Sequence, residues 1–126
     1  MVAAIPPTIA IVDDEESVRR ALGRLIRSAG FRVETYSSGS DFLVSVQQQR
    51  PQCVVLDLRM PHVNGFHVQQ ALADAGLSLP VVIITGDDSA ESRIRALEQG
   101  ARAYLRKPVD DAMLLDAIQT AIRSHP

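Results

Sequence analysis

The chain of 126 residues lacks most features of secreted, membrane and nucleic-acid-binding proteins. Its single cysteine, Cys53, cannot form an internal disulfide, so a reducing, cytoplasmic location is expected. The apolar runs, such as residues 81–84, are far too short to cross a bilayer, and the first eight residues do not resemble a signal peptide. The net charge of −2 indicates neither nucleic acid nor a membrane surface as a partner of this domain.

The composition is that of one ordinary globular domain. Hydrophobic residues make up 46% of the chain and charged residues 22%, which is enough for one core and for solubility. We therefore expect a single domain over residues 1–126, with an N-terminal tail at 1–7 and a core at about 8–123.

Short apolar runs alternate with stretches of helical periodicity along the whole chain. The runs predict five strands, at residues 9–12, 32–36, 53–56, 81–84 and 103–105. Strands that alternate with helices favour right-handed crossovers and a parallel sheet covered on both faces. The helix around Ile94 and Leu97 has only a thin apolar stripe, so we expect it to be the least firmly anchored.

The composition of the strands predicts their order in the sheet. The first, third and fourth runs are apolar throughout, as strands buried on both faces must be. The second run alternates and the fifth is short and flanked by Arg102 and Arg106, so both should be edge strands. The prediction is a doubly wound α/β fold with the flavodoxin-like order 2-1-3-4-5, whose ligands bind at the carboxyl ends of the strands.

Polar groups follow four of the five predicted strands. They are Asp13–Asp14 after the first, Asp57 after the third, Thr85–Gly86 after the fourth and Lys107, the only lysine, after the fifth. Each alone could be a helix cap, a strand end or a solvated loop residue. Together, three carboxylates repel one another and require compensation by a cation and an ammonium group. Carboxylate and carbonyl oxygens suit Mg²⁺.

Four segments combine a strand end with the polar groups that follow it, or contain those polar groups alone: Ile11–Glu15, Val55–Pro61, Ile84–Gly86 and Lys107–Val109. Together they resemble the signature of response-regulator receiver domains, the phosphoacceptor domains of two-component signalling. Each segment is a weak signal alone, but the four together are specific, and the resemblance to chemotaxis-regulator-like domains covers roughly residues 8–123.

The resemblance implies that Asp57 accepts a phosphoryl group from a sensor histidine kinase, a histidine phosphotransfer protein or a small phosphodonor. It implies Mg²⁺ (or Mn²⁺) held by Asp14, Asp57 and the backbone carbonyl of Arg59, with Asp13 acting through water. In this reading the chain is not an enzyme for an external substrate, although it can catalyse its own phosphorylation and dephosphorylation.

The resemblance also implies roles for the groups around the phosphoryl group. Thr85 and Lys107 would bind its oxygens, and Gly86 would leave the approach to it open. A cis bond before Pro108 would direct the lysine inward. Thr85 and Tyr104 would form a switch in which the tyrosine ring turns from exposed to buried. The surface of the fourth helix, fifth strand and fifth helix would then change, with phosphorylation-dependent homodimerisation as one outcome.

Three alternatives remain at this point. An aspartate phosphatase or mutase usually has a second acid two residues after the nucleophile, where this chain has Arg59, and a cap domain for which 126 residues leave no room. A docking module that is not phosphorylated should lack one of the signature residues, yet all are present. The chain could also be the N-terminal receiver of a DNA-binding transcriptional regulator rather than a stand-alone receiver.

Overall fold

The computed structural model describes residues 5–125 as a five-stranded parallel sheet with five helices. The elements are β1 (Thr8–Val12), α1 (Glu16–Ser28), β2 (Arg32–Tyr36), α2 (Gly39–Val46), β3 (Cys53–Asp57), α3 (Gly65–Asp74), β4 (Val81–Thr85), α4 (Ala90–Glu98), β5 (Ala103–Arg106) and α5 (Asp111–Arg123). The strand order is β2-β1-β3-β4-β5, which confirms the predicted fold class. Residues 1–4 of the predicted N-terminal tail lie outside the described residues.

The three central strands separate two hydrophobic clusters. Every residue of β3 and β4 is buried, whereas β2 and β5 are partly exposed edges. Ile9 and Ile11 of β1 face α1 and α5, while Ala10 and Val12 face the cluster that contains residues of α2, α3 and α4. The alternation follows from the period of two in a strand, so each strand contributes to both clusters.

Helix α4 is the least buried helix, which agrees with the weak anchoring expected from its thin apolar stripe. Ile94 and Leu97 are 56% and 42% exposed, and Ala96 is the one fully buried residue of α4. The Gln69 side chain of α3 donates from Nε2 to the Ala96 carbonyl oxygen at 3.1 Å. The thin stripe of Ile94 and Leu97 therefore remains about half exposed, and the hydrogen bond from Gln69 to Ala96 attaches α4 to α3.

A cis peptide bond, a helix cap and a close helix–strand contact define the backbone at the carboxyl ends of the strands. The Lys107–Pro108 peptide bond is cis, as the resemblance implied. Asp110 caps α5 by accepting a hydrogen bond from the Met113 amide at 2.9 Å. Helix α3 starts so close to β3 that a Cβ atom on Gly65 would lie 2.7 Å from the Asp57 carbonyl oxygen. The end of β3 thus has backbone packed directly against it.

Candidate functional site

Three carboxylates meet at the carboxyl ends of β1 and β3. Asp57 is the last residue of β3, and Asp13 and Asp14 directly follow β1, its neighbour in the sheet. One carboxylate oxygen from each lies within 4.8 Å of the other two. Asp13 and Asp57 are buried and Asp14 is exposed. The strand pairing therefore produces the predicted cluster from residues far apart in the sequence.

Lys107 reaches into this cluster from the end of β5. Its Nζ lies 2.8 Å from Asp13 Oδ2 and 3.5 Å from Asp57 Oδ2. Glu15, at the start of α1, is also 3.5 Å from Nζ. Burial lowers the pKa of Lys107, but the hydrogen bond with Asp13 and the nearby carboxylates outweigh burial, so the pKa lies above its usual value. The ammonium group therefore remains charged and offsets part of the repulsion among the acids.

The Asp57 carboxyl group has a raised pKa. Burial raises its pKa to about 6, and the Asp13 charge adds to this effect. The Lys107 ammonium and a hydrogen bond from the Arg59 amide to Asp57 Oδ1, at 3.2 Å, act in the opposite direction. Near pH 7 the carboxyl group is thus largely ionised, but Lys107 and the Arg59 amide neutralise its negative charge only in part. A bound cation can therefore stabilise the carboxylate further.

Thr85 lies at the end of β4 with its side chain fully buried. Its Oγ1 donates to the Asp87 carbonyl oxygen at 3.3 Å and accepts from the Asp87 amide at 3.2 Å. A methyl group on Gly86 would come no closer than 3.9 Å to any atom outside its neighbours, that atom being Lys107 Cδ. The loop after β4 therefore leaves space beside Lys107, while the Thr85 hydroxyl is bonded to the same loop.

Tyr104 lies on β5, next to β4 in the sheet, and its ring is buried at 7% exposure. Burial and the neighbouring Asp88 raise its pKa. The Arg93 guanidinium lies 5.6 Å from the ring centroid. The buried ring coexists with a Thr85 hydroxyl that is bonded to the loop, so burial of Tyr104 does not require Thr85 to leave that loop.

The sequence did not predict the ion pair that connects two loops at this edge. Arg59, in the loop after β3, forms an ion pair with Asp87, in the loop after β4, with Nη2 2.8 Å from Oδ2. No periodicity or spacing could have paired them, because both side chains are exposed and their meeting depends on the conformations of two loops.

Comparisons with known proteins agree with the observed fold. A sequence model described as the response regulator receiver domain matches residues 9–119. Response regulator protein TmoT of Ectopseudomonas mendocina is 40% identical over 118 residues, covering 94% of this chain and 54% of TmoT. Transcriptional regulatory protein FixJ of Rhizobium meliloti is 34% identical over 114 residues, covering 90% of this chain and 56% of FixJ. The chain thus spans about half the length of the curated relatives it matches.

Solved structures give the same result. A response regulator receiver protein from Burkholderia phymatum is 44% identical, with a TM-score of 0.82 and coverage of 95% of this chain and 98% of that one. The structure described as FixJ-N is 32% identical, with a TM-score of 0.88 and coverage of 95% and 96%. From the match over residues 9–119 and these relatives, the chain belongs to the response regulator receiver domain family.

Proposed function

We propose that residues 1–126 form one receiver domain, with its core at 8–123, and that Asp57 is its phosphoacceptor. The observation that carries the proposal is the placement of the Asp57 carboxylate between two further carboxylates and the Lys107 ammonium. Phosphoryl transfer depends mostly on positioning and on neutralisation of charge, and this cluster offers both.

The reaction assigned to Asp57 is nucleophilic. One carboxylate oxygen forms a bond to phosphorus, and the bond from phosphorus to the donor nitrogen (or oxygen, in acetyl phosphate) breaks. The leaving group keeps the electron pair of that bond. The Lys107 ammonium then pairs with a phosphoryl oxygen, and the Thr85 hydroxyl donates to another after it turns from the Asp87 carbonyl oxygen. The small side chain of Gly86 keeps that space accessible.

The donor atoms fit a small divalent cation. The oxygens of Asp13, Asp14 and Asp57 are hard ligands, lie within 4.8 Å of one another and include an exposed carboxylate. We assign Asp14, Asp57 and the Arg59 carbonyl as direct ligands of Mg²⁺ or Mn²⁺, with Asp13 acting through water. When bound, the ion neutralises negative charge that develops on the phosphoryl oxygens.

The proposed donor is a cytoplasmic sensor histidine kinase or a histidine phosphotransfer protein. An open cavity of about 480 Å³ lies beside Lys107, between the N-terminal half of α1 and the loop that leads into α5. Apolar side chains form much of its lining: Val18, Ala21, Leu22, Pro108 and Val109. A protein that brings a phosphohistidine to Asp57 must cover this edge, and the cavity supports apolar contact with it.

The proposed output is a change in the surface formed by α4, β5 and α5, which we call the output face. Thr85 and Tyr104 connect the acidic cluster to it through the β4–β5 pairing. Ile94, Leu97 and Met113 on this face are exposed large hydrophobic residues, which favours contact with a second copy after phosphorylation. Gel filtration with and without beryllofluoride tests this step, and an unchanged elution volume would contradict it.

A second candidate role is that of the N-terminal receiver in a DNA-binding transcriptional regulator. It is favoured by relatives named transcriptional regulatory proteins, of which this chain matches about half the length. Sequencing the gene beyond the codon for Pro126 tests it, since a continued reading frame with a DNA-binding domain is expected and a stop codon would contradict it.

The experiment that tests phosphorylation is intact-mass spectrometry after incubation with acetyl phosphate. We expect the mass of one phosphoryl group on the wild type when Mg²⁺ is present. Chelation of the metal and the Asp57→Asn substitution should each abolish the gain. If the wild type gains no phosphoryl group and does not bind beryllofluoride, the proposal of an active acceptor site fails.

A further inference from the structure

The Arg59–Asp87 ion pair joins two loops that flank the acidic cluster. Its side chains are 63% and 66% exposed, and exposed pairs of this kind contribute little to the stability of a fold. Each partner, however, also contacts a proposed site residue through its backbone. The Arg59 amide donates to Asp57 Oδ1, and the Asp87 amide and carbonyl both bond the Thr85 hydroxyl. A continuous set of contacts thus runs from Asp57 to Thr85.

A phosphoryl group on Asp57 would change the charges at one end of this set. It carries close to two negative charges and three acceptor oxygens, so it competes well with a single carboxylate for a guanidinium group. The Arg59 amide already lies 3.2 Å from the Asp57 carboxylate. The Arg59 side chain is 63% exposed, so it can rotate through solvent toward the phosphoryl group. Exchange of Arg59 from Asp87 to the phosphoryl group would leave the Asp87 carboxylate solvated and its loop less restrained.

We propose that the Arg59–Asp87 ion pair is a latch that holds Thr85 in its unphosphorylated arrangement, and that phosphorylation opens the latch because Arg59 moves from Asp87 to the phosphoryl group. Thr85 is then free to exchange its bond with the Asp87 carbonyl oxygen for one with the phosphoryl group. Apart from the phosphorylation itself, this exchange transfers no proton and forms or breaks no covalent bond. The inference rests on the proposed function, since it requires a phosphoryl group on Asp57.

The test is a double-mutant cycle on the affinity for beryllofluoride in the presence of Mg²⁺, measured by calorimetry. Asp87→Ala should strengthen binding by about two- to fivefold, the range that loss of an exposed ion pair supports. Arg59→Ala should weaken binding relative to the wild type, because the phosphoryl mimic loses a cationic partner. In the Arg59→Ala background, Asp87→Ala should change the affinity by less than about twofold, because Asp87 acts through Arg59.

The cycle separates the latch from simple charge repulsion. If Asp87 only repelled the mimic, its removal would strengthen binding equally in both backgrounds, and the proposal would be overturned. An Asp87→Ala affinity equal to or weaker than that of the wild type would also overturn it. Failure of the wild type itself to bind beryllofluoride or accept phosphoryl would instead refute the proposed function.

A matched ion pair provides the control. Arg20 and Glu16 on α1 are similarly exposed, at 63% and 72%, and are separated by 2.9 Å. Arg20→Ala and Glu16→Ala should leave the affinity unchanged. As an independent readout, the amide resonances of Thr85 and Gly86 in free Asp87→Ala should already shift toward their positions in the beryllofluoride complex. Resonances identical to those of the free wild type would contradict the latch.

Discussion

At the scale of single residues, the fold holds the Asp57 carboxyl group in a position that disfavours its ionised form. Its pKa is raised to about 6, because burial and the Asp13 charge outweigh the attraction of Lys107. The folded protein therefore binds this proton more tightly than the unfolded chain between about pH 4 and 6. The contribution of Asp57 to stability consequently falls as the pH rises through this range.

Asp57→Asn should therefore stabilise the metal-free protein near pH 7.5. The expected gain in the free energy of unfolding is about 1–2 kcal/mol after allowance for solvent screening. The gain should shrink toward pH 4, where wild-type Asp57 is protonated in the folded state and about half protonated in the unfolded chain. Urea titrations at the two pH values measure it, with the exposed Asp116→Asn on α5 as the control. A gain that is equal at both pH values, or absent at pH 7.5, would contradict the electrostatic account.

Two glycines at the same edge should respond differently to an added methyl group. A Cβ atom on Gly65 would lie 2.7 Å from the Asp57 carbonyl oxygen, whereas one on Gly86 would lie 3.9 Å from Lys107 Cδ. We expect Gly65→Ala to destabilise the protein by roughly 2 kcal/mol or more, because backbone must move. Gly86→Ala should change stability by about 0.5 kcal/mol or less. Chemical denaturation of both variants checks this, and equal effects would count against the described packing.

The residues of the acidic cluster could be predicted because they directly follow apolar strands. Once β1 and β3 pair, the positions of Asp13 and Asp57 follow from where those strands end. The contacts of Arg59 with Asp87 and of Thr85 with the Asp87 backbone could not be predicted in this way. They depend on loop conformations, which apolar periodicity does not encode.

At the scale of elements, the strands were predicted to within about one residue at each end. β3, β4 and β5 each extend one residue beyond the predicted run, to Asp57, Thr85 and Arg106. The reason is that backbone pairing continues past the last apolar side chain, as Asp57 pairs with Ile84 and Thr85 with Arg106. The hydrogen bond from Gln69 of α3 to the Ala96 carbonyl of α4 was not predicted, because no sequence pattern pairs these two residues.

The attachment of α4 should depend on Gln69. This side chain is 3% exposed and donates to the Ala96 carbonyl oxygen, which also accepts the Ala101 amide. We expect Gln69→Leu to lower the local stability of α4 by about 1 kcal/mol and to speed hydrogen exchange of its amides about fivefold. The carbonyl retains one partner, so a larger loss is not expected.

The control is Gln119→Leu, which changes an exposed glutamine of α5. It should leave hydrogen exchange in α4 within twofold of the wild type. Equal exchange rates in the two variants would show that Gln69 does not hold α4 to α3.

At the scale of the whole molecule, a cation that binds the acidic cluster should stabilise the fold by mass action. We expect Mg²⁺ at one hundred times its dissociation constant to add about 2.7 kcal/mol to the free energy of unfolding. Asp14 is exposed, so Asp14→Asn should fold normally but lose most of this gain. Thermal denaturation with and without Mg²⁺ measures the effect. An equal gain in both proteins would place the ion elsewhere.

At this scale the apolar composition of each strand predicted the sheet order. The four strand-end motifs, taken together along the chain, predicted the family. The direction of the Tyr104 ring could not be predicted, since a buried and an exposed ring are compatible with the same sequence. The output partner is likewise not encoded in a recognisable pattern, because the exposed residues Ile94 and Met113 specify apolar contact without identifying what makes it.

The most direct test of the central claim is to locate the acyl phosphate after reaction with acetyl phosphate and Mg²⁺. Borohydride reduces an aspartyl phosphate to homoserine, which tandem mass spectrometry identifies at a single position. We predict homoserine at position 57 in the wild type, with aspartate retained at 13 and 14. Homoserine at either of those positions, or a phosphorylated protein with unmodified Asp57, would contradict the assignment of Asp57 as the phosphoacceptor.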